Sequence, residues 1–423
     1  MVSAALFYTV SYPSPAFAHP SALLQSLRAT AADITVRIEA EASGSGTLIA
    51  RENSIYYVLT TKHLVAFEDN YQIVTPDGVS HAIETIAPLE GVDLALVTFT
   101  SQTNYNVAKF STFPTASRQG IFLSGWPLSD QAPSSYVFLP GELVAAPHAA
   151  LYSEDPVAMG YDLFYTNLTG AGLSGGPLLD ASGRLMGIHG RSDGTRILDP
   201  TTQQDRRVLI GYSSGISVRT FINYASPALK RRLNVEHSPH QALSSQDLWD
   251  ISSELGAQLN PLPPFPNAID WLNRSNQLFR TRQFIPALQT VDQATQLAPD
   301  LMEAWYFRSI LLYELGDFSS ALTTSNLVVD LAPGFGLGWR QRGRILAELG
   351  RYADATDAFD RALQLNEQDY VVWYLKGELL ERYYHDESAA LAAYERAISL
   401  APNFEIAQRA RTLLLAEAVG RSR

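Results

Sequence analysis

Gly170-Ala171-Gly172-Leu173-Ser174-Gly175-Gly176-Pro177 packs four glycines, a serine and a proline into eight residues. By itself such a string is a tight turn between strands, because glycine accepts bends that side chains forbid. Two further segments change its reading. Tyr57-Val58-Leu59-Thr60-Thr61-Lys62-His63 is an apolar run that ends on a histidine, and Gly91-Val92-Asp93-Leu94-Ala95-Leu96-Val97 brings an aspartate into another. Each alone has an ordinary explanation, a packed or solvent-facing histidine and a turn aspartate. In the order His63, Asp93, Ser174 within one region, they call for a joint explanation.

Their surroundings read as strands and turns. Ile34 to Glu39 alternates in polarity, and Gly46 to Ala50, Tyr56 to Leu59, Leu94 to Phe99, Gly120 to Leu123, Tyr136 to Leu139 and Leu185 to His189 are short apolar runs. Gly, Ser, Asp and Pro punctuate them, and a helix-like piece, Arg219 to Leu233, closes the series. Residues 19–233 are therefore expected to form one all-β domain. With 423 residues the chain is long enough for two or three domains. Periodicity fades over residues 234–267, and Pro261-Leu262-Pro263-Pro264-Phe265-Pro266 can neither continue a helix nor join a sheet interior. This stretch is read as a linker between two units, each with its own core.

Beyond it Trp271, Trp305, Trp339 and Trp373 recur every 34 residues. Phe284, Phe318 and Tyr352 follow in register, as do Ala287, Ala321 and Ala355, then Pro299 and Pro333; Gly343 and Gly377 hold a small-residue site. The unit resembles the tetratricopeptide repeat, in which small residues let two antiparallel helices pack closely. In the fourth copy Ala390, Tyr394 and Pro402 arrive one residue late, which implies an insertion near Tyr383-Tyr384-His385. Four repeats are expected over residues 268–402, with a polar-faced capping helix and tail over 403–423. Arg308, Arg342 and Lys376 each stand three residues after a tryptophan, so they stack along the solenoid as a candidate ligand groove, with Asn276 a weaker member. The alternative is a solvated cationic ridge.

The three N-terminal segments, with Gly44-Ser45-Gly46-Thr47 before them, resemble the trypsin-like serine endopeptidases, in particular the disulfide-free bacterial branch. The resemblance implies a chymotrypsin-like all-β double Greek-key barrel, two six-stranded barrels with the reacting groups between them. It assigns Ser174 as nucleophile, His63 as the base that takes its proton, Asp93 as the group that orients the imidazole, and the N–H groups of Gly172 and Ser174 as the oxyanion hole. The position that carries an acid in trypsins is Leu168 here, which removes the charge partner for Lys or Arg at P1. Gly187-Ile188-His189-Gly190 and Thr169 are similar to the pocket of bacterial glutamyl endopeptidases, where a histidine and a threonine bind an acidic P1 side chain. Arg191 is close enough in sequence to add charge. The alternative leaves His189 a satisfied histidine on a sheet edge and Thr169 a turn residue.

Composition narrows the rest. The net charge of −12 disfavours nucleic acid, whose binding needs clustered cations. Cysteine is absent, so disulfides, thiol nucleophiles and thiolate metal sites are excluded. No His/Asp/Glu spacing suits a metal and no glycine-rich loop suits a phosphate, so no cofactor is expected. No stretch has the ~20 apolar residues of a membrane span. Ala4 to Val10 followed by Ala16-Phe17-Ala18 reads as a signal peptide over residues 1–18, which would make the protein exported or periplasmic; without cleavage there it would be cytoplasmic. Two functions compete: an endopeptidase acting on protein or peptide substrates with repeats that recruit partners, and a catalytically weak scaffold whose repeats do the work.

Overall fold

The computed structural model describes residues 22–421 except 41–42, 68, 117, 129–134, 146–148, 150–151, 153–157, 199–204, 258, 260–261 and 403. The expected signal segment, residues 1–18, lies outside the described residues. The first element is a helix that the sequence reading missed, α1 (Ala22–Ile34). Its buried residues Leu24, Leu27, Ala31 and Ile34 follow helical spacing and seat one face in the barrel core.

The first sheet is antiparallel, in the order β5-β4-β1-β2-β3-β7-β6. Its strands are β1 (Thr35–Glu39), β2 (Gly44–Glu52), β3 (Ile55–Thr60), β4 (Gln72–Val74), β5 (Ser80–Ala82), β6 (Thr85–Pro88) and β7 (Ala95–Thr100). Val36, Ile38, Leu48, Val58, Ile73, Val97 and Phe99 fill its concave side. It departs from the expected closed barrel, since no pairing among the described residues joins β5 to β6. The edge strands are short and β6 is exposed throughout, so they offer little apolar face to drive closure. The result is a half-barrel.

The second sheet does close. Strands β9 (Gly120–Gly125), β10 (Val137–Val144), β11 (Leu163–Tyr165), β12 (Pro177–Leu179), β13 (Leu185–Leu198) and β14 (Asp205–Ser217) run in the order β12-β9-β10-β11-β14-β13, and β12 pairs again with β13. Closure leaves no free edge in that ring. Strand β8 (Lys109–Ser111) lies parallel to β13, and β15 (Asn234–Glu236) parallel to β8. Helices α2 (Val218–Tyr224) and α3 (Pro227–Lys230) follow β14, each capped by a serine side chain.

Strand β15 already corrects the reading of residues 234–267 as a linker, and α4 (Ser245–Ala257) completes the correction. Ile251 of α4 is buried in the barrel core and Glu254 pairs with Arg28 of α1 at 2.8 Å. Asp180 binds Arg184 Nε at 2.9 Å and His240 Nδ1 at 2.9 Å, while the Arg184 guanidinium reaches the Ser238 carbonyl, so this stretch is tied to the barrel. A three-residue strand and a polar helix leave too little apolar pattern to be seen in the sequence.

The repeats are helical pairs: α5 (Ala268–Arg280) with α6 (Phe284–Leu297), α7 (Met302–Glu314) with α8 (Phe318–Leu331), α9 (Gly336–Glu348) with α10 (Tyr352–Leu365), and α11 (Tyr370–Leu379) with α12 (Glu387–Leu400). The tryptophan period has a mechanical basis, because the indole N–H of Trp305, Trp339 and Trp373 donates to the carbonyl of residues Pro299, Pro333 and Glu367, six positions earlier. A backbone acceptor explains why Glu367 can replace proline. A Cβ on Gly343 would lie 2.5 Å from Phe359, and one on Gly377 equally close to Tyr394, so the small-residue site is a packing requirement. The insertion in the fourth repeat is absorbed by a π-helical turn, Leu380–Tyr384, and by His385 at φ 54°. Helix α13 (Glu405–Arg421) ends the stack, though exposed Leu413 and Leu415 make its surface less polar than expected for a cap.

Each unit has hydrophobic clusters of its own, and one further cluster spans both. Tyr152, Phe164, Val208, Ile210 and Tyr212 of the barrel pack with Ile269, Leu272, Phe279 and Ile310 of the repeats. Tyr152 donates to Glu314, and Arg344 lies 5.3 Å over its ring. Polar bonds add register, with the Leu209 N–H donating to Asn273 Oδ1 at 2.7 Å and Asn273 Nδ2 donating to the Arg207 carbonyl at 2.9 Å.

Candidate active site

His63 sits on a short 3-10 turn, Lys62–Val65, directly after β3, and Asp93 immediately before β7. Strands β3 and β7 are paired, with Thr60 opposite Ala95, so the two residues emerge side by side at one sheet end. Asp93 accepts His63 Nδ1–H on Oδ2 at 2.7 Å and the His63 backbone N–H on Oδ1 at 2.9 Å. The Tyr161 hydroxyl donates to the same Oδ2 at 2.5 Å. Burial pushes the Asp93 carboxyl up, but the hydrogen bond and charge of His63, then the Tyr161 bond, outweigh it and hold it below the ordinary aspartate range. An ionised acceptor on Nδ1 fixes the imidazole tautomer, and Nε2, on a half-exposed ring, lies 3.5 Å from Thr61 Oγ1.

Ser174 comes from the other sheet, in the loop between β11 and β12. Gly172 and Gly175 there have φ of 88° and 89°, conformations that suit glycine. A Cβ on Gly172 would lie 2.4 Å from the Leu128 backbone nitrogen, and one on Gly175 would lie 1.9 Å from the Ser45 carbonyl oxygen. Strand β2 braces this loop across the domain: the Ser45 N–H donates to the Ser174 carbonyl at 2.9 Å, Ser45 Oγ to the Gly172 carbonyl at 2.9 Å, and Thr47 Oγ1 to the Gly175 carbonyl at 3.1 Å. Among the described residues no protein acceptor takes the N–H of Gly172 or Ser174, the two donors expected to form the oxyanion hole. Ser174 Oγ itself donates to the Gly190 carbonyl at 2.9 Å.

His63, Asp93 and Ser174 line one cleft of about 380 Å³, together with His189, Gly190 and Arg191. His189 is almost fully buried, and its Nδ1 lies 2.5 Å from the Tyr165 hydroxyl, which also reaches the Ser214 carbonyl at 3.0 Å. Burial, followed by the charges of His63, Arg280 and Arg207, pulls its pKa down to about 3, so the ring is neutral. Thr169 is buried, its Oγ1 2.7 Å from Ser213 Oγ, which donates to the Asn167 carbonyl at 3.0 Å, and Leu168 is half-buried beside it. Arg191 stacks 4.5 Å over the Tyr161 ring. Sequence reasoning missed Tyr161 and Tyr165, which carry no local motif and act through contacts distant in the chain.

The residues read as a repeat groove are placed differently. Arg308 Nε binds Asp292 at 2.7 Å, Arg342 Nε binds Asn326 at 2.8 Å, and Lys376 binds Asp360, each partner 16 positions earlier on the preceding helix. They are half-buried rungs between successive helices. Asn276 is buried. The face turned to the barrel carries Phe279, Glu314 and Arg344 instead.

Residues 44–188 match the trypsin-like peptidase domain family and residues 336–369 match the tetratricopeptide repeat. No curated protein matches the chain. Among solved structures, an inactive form of the Rv3671c protease is 18% identical with a TM-score of 0.37, covering 51% of this chain and 98% of that one. The inactive form of a serine-to-alanine mutant of Rv3671c from M. tuberculosis H37Rv is 14% identical with a TM-score of 0.35, covering 53% of this chain and 96% of that one. The HtrA-type protease AlgW with a tripeptide is 18% identical with a TM-score of 0.36, covering 47% of this chain and 61% of that one. The chain joins a trypsin-like peptidase domain to tetratricopeptide repeats.

Proposed function

We propose that the protein is a serine endopeptidase that hydrolyses peptide bonds through an acyl-enzyme. The observation that carries this reading is that Asp93 binds both Nδ1 and the backbone N–H of His63 at the mouth of the cleft that Ser174 lines. A peptide carbonyl entering the cleft displaces Ser174 Oγ from the Gly190 carbonyl, exchanging one hydrogen bond of about 1 kcal/mol for another. His63 Nε2 takes the hydroxyl proton as Oγ attacks and returns it to the leaving amine; water then repeats the sequence on the acyl group. The Gly172 and Ser174 N–H groups meet the oxyanion, and one such donor is typically worth about 3 kcal/mol. The pocket reading extends to P1, with the Tyr165 hydroxyl turned to His189 Nδ1 so that the neutral ring has its N–H on Nε2 to donate to a Glu carboxylate.

The repeats are a protein-interaction element whose first partner is the barrel of the same chain, and other proteins would meet their remaining surface. The rival scaffold reading draws on one observation, the Ser174 hydroxyl resting on the Gly190 carbonyl and not on His63. Peptide hydrolysis separates the two. Turnover by the wild type that Ser174→Ala abolishes supports the peptidase, and no turnover of any peptide in a P1 library supports the scaffold.

A further inference from the structure

We infer that Tyr161 is a positioning residue of the peptidase: its hydroxyl, with the carbonyl two residues before it, fixes Asp93 from the second sheet and so sets the His63–Asp93 pair in place against Ser174. The inference rests on the peptidase reading above and deepens it.

Among the described residues three donors meet the Asp93 carboxylate. Two belong to His63, on the turn after β3, and so move with the imidazole they orient. The third is the Tyr161 hydroxyl at 2.5 Å, which comes from two residues before β11 and reaches across from the other sheet. The same segment holds the aspartate backbone, since the Asp93 N–H donates to the Met159 carbonyl at 2.8 Å. Bringing that acceptor and the tyrosine donor to one residue takes a sharp bend. Met159 has φ 60° and Gly160 φ 87°, left-handed conformations that are uncommon for a methionine and cluster where surrounding structure imposes them. A Cβ on Gly160 would lie 2.8 Å from Val92 Cγ1, so the bend is moulded onto the stretch that carries Asp93.

The rest of the ring is held by the strand on the serine side. Tyr161 is buried, Arg191 stacks 4.5 Å over it, and a Cβ on Gly190 would lie 2.0 Å from its Cε1, so the phenol fills the space a side chain at 190 would need. Gly190 is also the residue whose carbonyl holds Ser174 Oγ. One side chain therefore joins the Asp–His half of the site, built on the first sheet, to the strand of the second sheet against which the serine rests. Tyr161 acts on the reaction through Asp93. Its donation keeps Oδ2 on the Nδ1–H of His63 while the imidazole takes up a proton, and a carboxylate free to rotate would lose that alignment at the moment the imidazolium forms.

The test measures kcat and KM of the full-length protein on a chromogenic peptide, with the rate of fluorophosphonate labelling in parallel, for the wild type, Tyr161→Phe, Asp93→Asn and the double variant. Tyr161→Phe keeps the ring, its stack with Arg191 and its packing on Gly190, and should lower kcat and the labelling rate roughly tenfold with KM little changed, a small part of the ~10⁴ expected from Asp93→Asn. In the Asp93→Asn background the same change should cost less than about twofold, because the carboxylate it positions is gone. Wild-type kcat in Tyr161→Phe means the ring only packs, and overturns the inference. So does a loss carried by KM alone, or one of equal size in both backgrounds. Should Tyr161→Phe fail to fold, Gly160→Ala decides: its Cβ pushes the bend off Val92, which should lower kcat when Asp93 is present and leave Asp93→Asn unchanged, and equal losses in the two overturn the inference. A wild type that neither turns over nor labels overturns the peptidase reading and with it this one.

Discussion

Tyr152→Ala tests whether barrel and repeats fold as one body. The tyrosine is buried between them, edge-on to Phe279 with ring centroids 5.9 Å apart, under the Arg344 guanidinium and bonded to Glu314. Truncating a buried aromatic costs about 3–5 kcal/mol, from lost transfer energy and the cavity left behind. For the 423-residue chain, an unfolding entropy near 2.1 cal/mol/K per residue amounts to about 0.9 kcal/mol/K. If the shared core makes unfolding a single transition, differential scanning calorimetry should show Tm falling by roughly 3–6 °C with one peak retained. Tyr152→Phe isolates the hydroxyl and should cost about 1–3 kcal/mol, because Glu314 loses one donor. An unshifted barrel transition in Tyr152→Ala, or two independent peaks in the wild type, would refute the shared core.

Other consequences are local. Asp93→Asn should lower kcat by about 10⁴ at neutral pH while Tm holds within a few degrees, since the amide favours the wrong imidazole tautomer; stopped-flow hydrolysis of a peptide ester checks it. The carboxyl of Asp93 is depressed below its unfolded value, so the stability it adds is present above pH ~4 and is lost as pH falls through the folded value. The Asn variant should therefore show a flatter loss of Tm between pH 5 and 3 than the wild type, and parallel curves would contradict the assignment. Gly172→Ala should abolish turnover, because a Cβ there meets the Trp126 and Leu128 backbone and forces the oxyanion loop to move; wild-type activity would show the loop is not where catalysis happens. Arg308→Glu with Arg342→Glu should destabilise the solenoid by placing acid beside Asp292 and Asn326, and helical melting by circular dichroism at an unchanged temperature would return these residues to a free ridge.

What the sequence discloses depends on whether the physics is local. The Ser174 loop is legible because Gly172 and Gly175 have positive φ, and the repeats are legible because the Trp305, Trp339 and Trp373 rungs recur at fixed spacing. Tyr161, Tyr165 and Arg280 leave no such mark, since their partners Asp93, His189 and Ser213 are brought to them only by the completed fold. The half-barrel was illegible for a related reason: whether β5 meets β6 depends on apolar area across a gap, and neither strand is long enough to show a pattern. Register arithmetic aligned Arg308, Arg342 and Lys376 correctly along the solenoid but could not tell that their side chains turn to the preceding helix.

In the proposed mechanism Ser174, His63 and the oxyanion donors assemble into a reactive site. Intact-protein mass spectrometry after exposure to a fluorophosphonate measures this without any assumption about substrate, since the reagent needs an activated serine and a competent oxyanion hole. A single adduct is expected, mapped to Ser174 by peptide digestion, absent in Ser174→Ala and strongly slowed in His63→Ala. An unmodified wild type, or labelling at the same rate in His63→Ala, would contradict the proposed triad.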